Sequence, residues 1–118
     1  MMMKMDRTTK ILKIEKVVTY IEDYCCVVSF ASDSSNNPES YLILTRQSSE
    51  MEGGKPLENF EWDLQIDYDG EITTLTSYVY ENDDLTFIFD DGKFNLKLQL
   101  SKKVDLKPWL EFIFKEEV

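Results

Sequence analysis

The sequence predicts an α+β domain: a mostly antiparallel, meander-like sheet of about seven strands with one C-terminal helix. Three observations carry this. Apolar and polar residues alternate with a period of two, most clearly over Phe60–Ile66 and Phe94–Leu100. Asp69-Gly70 and Asp91-Gly92 sit between such stretches and suit tight hairpin turns, because both residue types tolerate positive φ. After Asp105 the period changes, and Leu106, Trp109, Leu110, Ile113 and Phe114 fall near helical spacing.

Residues 10–21 read as the first strand, anchored by Ile14 and the Val17-Val18 pair. Glu22-Asp23 turns the chain into residues 24–31, rich in β-branched and aromatic side chains. Residues 32–39 are a loop, since Ser, Asp and Asn compete for backbone hydrogen bonds and Pro38 donates none. Tyr41–Arg46 is apolar on both faces at its start, which places it centrally. Residues 47–59 form the longest break, marked by Gly53-Gly54 and Pro56.

From Phe60 the strand turns one apolar face inward and one almost wholly acidic face outward. Residues 71–80 return as a Thr- and Tyr-rich strand, and Glu81-Asn82-Asp83-Asp84 turns again. Leu85, Phe87 and Phe89 line the next strand, and the last begins at Phe94. The four segments from Phe60 to Leu100 are expected to be sequential neighbours. Asp105 is the expected N-cap of a helix of about three turns, with Pro108 in its first turn and Trp109 on the sheet.

The chain has 118 residues, enough for one domain spanning 1–118, with residues 1–9 expected to form a disordered tail. It contains no histidine, which removes Ser-His-Asp and Cys-His catalysis, His-ligated zinc and histidine acid/base chemistry. The net charge of -10 argues against nucleic acid and anionic membranes as partners. Apolar runs reach about four residues, far short of the ~18 that span a bilayer. A cytoplasmic protein is expected. The two cysteines, Cys25 and Cys26, are adjacent and point to opposite faces of a strand, so a disulfide between them requires distorted geometry.

No catalytic, metal-binding or cofactor-binding constellation stands out. Asp67, Asp69 and Glu71 are the candidates for a carboxylate enzyme, but nothing singles out a pair for acid/base work. Aligned as a calcium loop on Gly70, the same stretch has Gln65 and Thr76 where Asp and Glu are needed. Gly53-Gly54-Lys55 lacks the spacing of a phosphate loop. A non-enzymatic protein without cofactor is expected.

The charge is uneven. Residues 1–59 hold 7 basic and 9 acidic side chains, whereas residues 60–118 hold 6 and 14. Between Lys55 and Lys93 there are eleven carboxylates and no Lys or Arg. Glu61, Asp63, Asp67, Asp69, Glu71, Asp83, Asp84, Asp90 and Asp91 are therefore the candidate partner-binding residues. In a hairpin meander, Asp69 and the Glu81–Asp84 turn lie at opposite ends of the sheet. Glu61, Asp63 and Asp67 lie on the face away from Trp62. Such a surface either keeps the protein soluble or docks a basic partner.

One stretch carries a family clue. Residues 17–47 hold a strand ending in Phe30-Ala31, an acidic polar loop, then Asn37-Pro38-Glu39-Ser40-Tyr41-Leu42-Ile43-Leu44 leading to Arg46. This resembles the opening of the immunity protein 10 family, small cytoplasmic proteins encoded beside bacterial polymorphic toxins. It covers about a quarter of the chain and continues loosely through Trp62–Ile66 and Leu85–Phe89. The resemblance implies binding and neutralisation of a cognate toxin domain. The charge adds the expectation of a basic toxin surface, such as a nuclease cleft, with Tyr41 and Trp62 as either interface anchors or core residues. A small-ligand binding module on a curled sheet is the alternative.

Overall fold

The computed structural model describes residues 8–22, 25–47, 59–82 and 84–114. Among these, eight strands form two four-stranded sheets. The strands are β1 (Thr8–Ile14), β2 (Lys16–Glu22), β3 (Cys25–Ala31), β4 (Tyr41–Gln47), β5 (Asn59–Gln65), β6 (Leu75–Glu81), β7 (Asp84–Phe89) and β8 (Phe94–Leu100), followed by helix α1 (Lys107–Ile113). The first sheet has the order β1-β8-β7-β6 and the second β2-β3-β4-β5. Every pairing is antiparallel except β1 with β8. The α+β class with one C-terminal helix stands, with two sheets in place of one.

The split begins at Glu15. Residues 10–21 were expected as one strand, and they form β1 and β2 with Glu15 between them. Ile14 accepts a hydrogen bond from the Ser101 N–H at the end of the first sheet, while the Glu15 N–H donates to Ala31 in the second, each at 3.0 Å. The chain thus changes sheets across one residue. β1 starts at Thr8, inside the segment expected to be a tail.

The acidic half departs from the expected meander. β5 belongs to the second sheet and β6 to the first, so Asp69-Gly70 is not a hairpin turn. A type I′ hairpin needs positive φ at both central residues, and Asp69 does not have it. Residues 66–74 instead cross between the sheets, with Ile66, Tyr68 and Ile72 packed on the core. Gly70 lets this happen: a Cβ there would lie 2.9 Å from the Tyr68 ring.

Two of the other turns behave as read, and the one expected at Glu22-Asp23 lies partly outside the described residues. Glu81 pairs directly with Asp84, and Asn82 takes a φ of 49°. Asp90, Asp91 and Gly92 all adopt positive φ and close β7 onto β8. β4 is interior to its sheet, as its two apolar faces required.

Between the sheets lie Val28, Phe30, Leu42 and Leu44 from one side and Phe87, Phe89, Leu96 and Leu98 from the other, all fully buried. Edge-on ring contacts join the layers at Phe30–Phe87 (5.9 Å) and Trp62–Phe89 (5.1 Å). Helix α1 closes one opening with Leu110 and Ile113 buried. It has about two turns rather than three. Leu106 occupies the N-cap, and Asp105, one residue before it, accepts the Lys107 N–H at 3.3 Å. Arg46 reaches inward from β4 and donates to the Ile113 carbonyl at 3.1 Å, where a cation suits the negative end of the helix dipole.

Candidate partner-binding surface

β5 and β6 are the last strands of their respective sheets, and residues 66–74 join them. This side of the domain carries Glu61, Asp63, Asp67, Asp69, Glu71 and Glu81, all exposed, and residues 59–81 include no Lys or Arg. At the other edges, β1 and β2 carry Lys10, Lys13 and Lys16 against Glu15 and Glu22. The fold therefore turns a charge imbalance along the sequence into a polarity across the molecule.

The nine candidate carboxylates do not share one face. Glu61 and Asp63 lie on the outer face of the second sheet, since Phe60, Trp62 and Leu64 of the same strand pack on the core. Asp67, Asp69 and Glu71 lie on the crossing segment. Asp67 therefore leaves the strand face on which alternation had placed it, because β5 ends at Gln65. Asp84 sits beside Glu81 at the start of β7 in the first sheet, 3.9 Å from the Lys97 ammonium group, which offsets its charge. Asp83 lies outside the described residues.

Asp90 is occupied by the fold. Its carboxylate accepts bonds from the Thr73 hydroxyl at 2.7 Å and from the Thr73 and Thr74 N–H groups. Its own N–H donates to the Thr74 carbonyl at 2.7 Å. Beside it, the Asp91 N–H donates to the Thr76 hydroxyl. These bonds tie the β7–β8 turn to the end of the crossing segment. The Thr73 hydroxyl, foremost, holds the Asp90 carboxyl below its ordinary range, and the two backbone donors help. A carboxyl lowered on folding stabilises above its unfolded pKa and loses that contribution as pH falls through its folded pKa. Acidification below about pH 4 is therefore expected to weaken this turn, progressively as the Asp90 carboxylate takes up its proton. In Asp90→Ala at neutral pH, Thr73 and Thr74 amides should exchange about tenfold faster, with Leu96 unchanged, as read by hydrogen exchange.

Tyr41 and Trp62 separate. Trp62 packs inward on Phe89, whereas Tyr41 stands half-buried on the outer face and donates its hydroxyl to Asp63 at 3.2 Å. That bond raises the Tyr41 hydroxyl above its ordinary range. The preceding loop has a built shape. Asp33 accepts from the Ser35 N–H and hydroxyl and from the Glu39 N–H. These bonds hold its carboxyl below the usual range.

Among the described residues, no three His, Cys, Asp or Glu side chains come together to hold a metal. Cys25 and Cys26 form no disulfide, and burial, with Cys25 beside it, pushes the Cys26 thiol up to about 11. At neutral pH it is a protonated core residue. No helix of the described residues is long and apolar enough to cross a membrane.

Comparison with family models and with curated proteins gives no match. The functional reading therefore rests on the residues themselves.

The sequence reading took the Val17-Val18 pair as apolar anchors and missed that Val18, Tyr20, Val27 and Ile43 line the outer face of the second sheet. Their signal was the run of adjacent apolar pairs, Val17-Val18, Val27-Val28 and Leu42-Ile43. Consecutive strand residues face opposite ways, so each pair sends one apolar side chain outward.

Proposed function

We propose that this chain is an immunity protein that binds and neutralises a cognate bacterial toxin by laying its acidic wall over a basic toxin surface. The observation that carries the reading is the wall itself: exposed carboxylates along β5, the crossing segment and the end of β6, with no Lys or Arg among residues 59–81. Like charges this close repel, and a basic partner relieves that repulsion on binding. The resemblance of residues 17–47 supplies the class of partner. A small-ligand module has less support, because Phe30, Phe87, Phe89 and Phe94 fill the space between the sheets where a cavity would be needed.

Co-expression with the toxin domain encoded beside its gene tests this. Growth is expected to be restored by the chain and not by an unrelated acidic protein. Persistent toxicity with the chain soluble and abundant would overturn it.

A further inference from the structure

We infer that a groove on the outer face of the second sheet, beside the acidic wall, is the apolar anchor point for the partner protein. Its occupant is an apolar side chain flanked by Lys or Arg on a basic protein surface. This rests on the reading above and adds to it the place and chemistry of the contact.

The groove has a volume of about 470 Å³. Val18, Val27, Ile43 and Tyr20 line it, and the loop bearing Pro38 overhangs it. The outer face of a sheet in a two-layer packing is ordinarily polar. Here Tyr20 is 42% exposed, and Val18, Val27 and Ile43 place an apolar side chain on each of β2, β3 and β4, with Ser29 between Val18 and Ile43. Asp33 holds the overhanging loop in shape, and the Ser32 and Ser40 backbones close its base. The groove is thus formed before any partner arrives, which lowers the ordering cost of binding.

Charge specifies the occupant. Ile43 pairs directly with Asp63 and Thr45 with Glu61 across the β4–β5 ladder. The apolar strip is therefore bordered on β5 by two exposed carboxylates, one of them bonded to Tyr41. Lys16 is the cation lining the far end, on β2. Strands lie about 4.8 Å apart, so a bound apolar side chain over Ile43 sets its neighbouring cation against Asp63. An apolar tip with acidic flanks meets repulsion at the same place.

The test uses the full chain, isotope-labelled, titrated with two soluble synthetic peptides. One has a Leu-Trp centre flanked by Lys and Arg, and its twin has Glu and Asp flanks. The basic peptide is expected to shift the amide resonances of Val18, Tyr20, Val27 and Ile43, and the acidic twin to leave them in place. Ile43→Glu and the milder Tyr20→Ser are each expected to weaken the basic peptide about tenfold or more, while far-ultraviolet dichroism stays unchanged. Asp63→Asn is expected to weaken it severalfold and to flatten its salt dependence. Shifts confined to the crossing segment, equal binding of both peptides, or no shift at millimolar peptide would overturn the groove. So would resonances in the groove that move on dilution without peptide, since the occupant would then be a second copy. None of these outcomes touches toxin neutralisation, which the co-expression experiment reads separately.

Discussion

Neutralising Glu61, Asp63, Asp67, Asp69 and Glu71 together, to Gln or Asn, is expected to slow association with the proposed toxin partner by about 10- to 100-fold at low salt. The magnitude follows from where these groups sit. All five are exposed, and no Lys or Arg lies on their stretch of chain to cancel them. Exposed charges act on an approaching partner through the summed field, which raises encounter rates and is screened over about 8–10 Å at physiological salt. The dissociation rate should change less, because rim charges contribute little once contact is made. Raising the ionic strength should slow the wild-type chain markedly and the variant only slightly. Asp84→Asn is the internal control. Its carboxylate already faces Lys97 at 3.9 Å in the other sheet, so its removal should leave association near the wild-type rate. Stopped-flow association across a salt series reads all of this. Equal rates for the wild type and the five-fold variant would move the contact off the wall.

Phe87→Ala is expected to lose about 3–5 kcal/mol of stability. Phe87 is fully buried, and its ring meets Phe30 of the opposite sheet, Tyr78 of the neighbouring strand and Phe114 beyond the helix. It therefore joins three parts of the core, and truncation leaves a cavity at their meeting point. Those neighbours come from different elements and cannot all collapse inward together, which places the cost toward the upper part of that range. A domain of ordinary stability, about 5–15 kcal/mol, would be left marginal. Urea denaturation should show a lower midpoint with an unchanged slope. A loss below about 1.5 kcal/mol would mean that the two sheets do not meet at this residue.

The sequence made the strands and most turns legible because each depends on near neighbours. Strict alternation over Phe94–Leu100 requires one buried face, and the Asp91-Gly92 turn depends on local φ preferences. The division into two sheets was harder to see, although a trace was present. Leu12 and Ile14 are the inward residues of β1, whereas Val17 is the inward residue of β2. The inward positions change parity across Glu15, which marks the bend between sheets. Asp69-Gly70 misled for a related reason. The dipeptide permits a hairpin, but alternation continues through Ile66 and Tyr68, and burying those side chains carries the chain across to the other sheet. Long-range pairing decided both cases.

The charged segment was legible as a list of residues and not as a surface. Hairpin geometry spread it over one sheet, whereas the crossing gathers Asp67, Asp69 and Glu71 between two edge strands and leaves Asp84 with Lys97. Asp90 read as one more surface carboxylate, yet its partners Thr73 and Thr74 stand seventeen and sixteen positions earlier in the chain.

The most direct measurement of the proposed role is a titration, with the purified chain, of the activity of any toxin domain encoded beside its gene. Activity is expected to fall in proportion to added chain and to vanish at equimolar amounts, with more chain required at high salt. Activity that persists in the presence of excess folded chain would contradict the neutralising role.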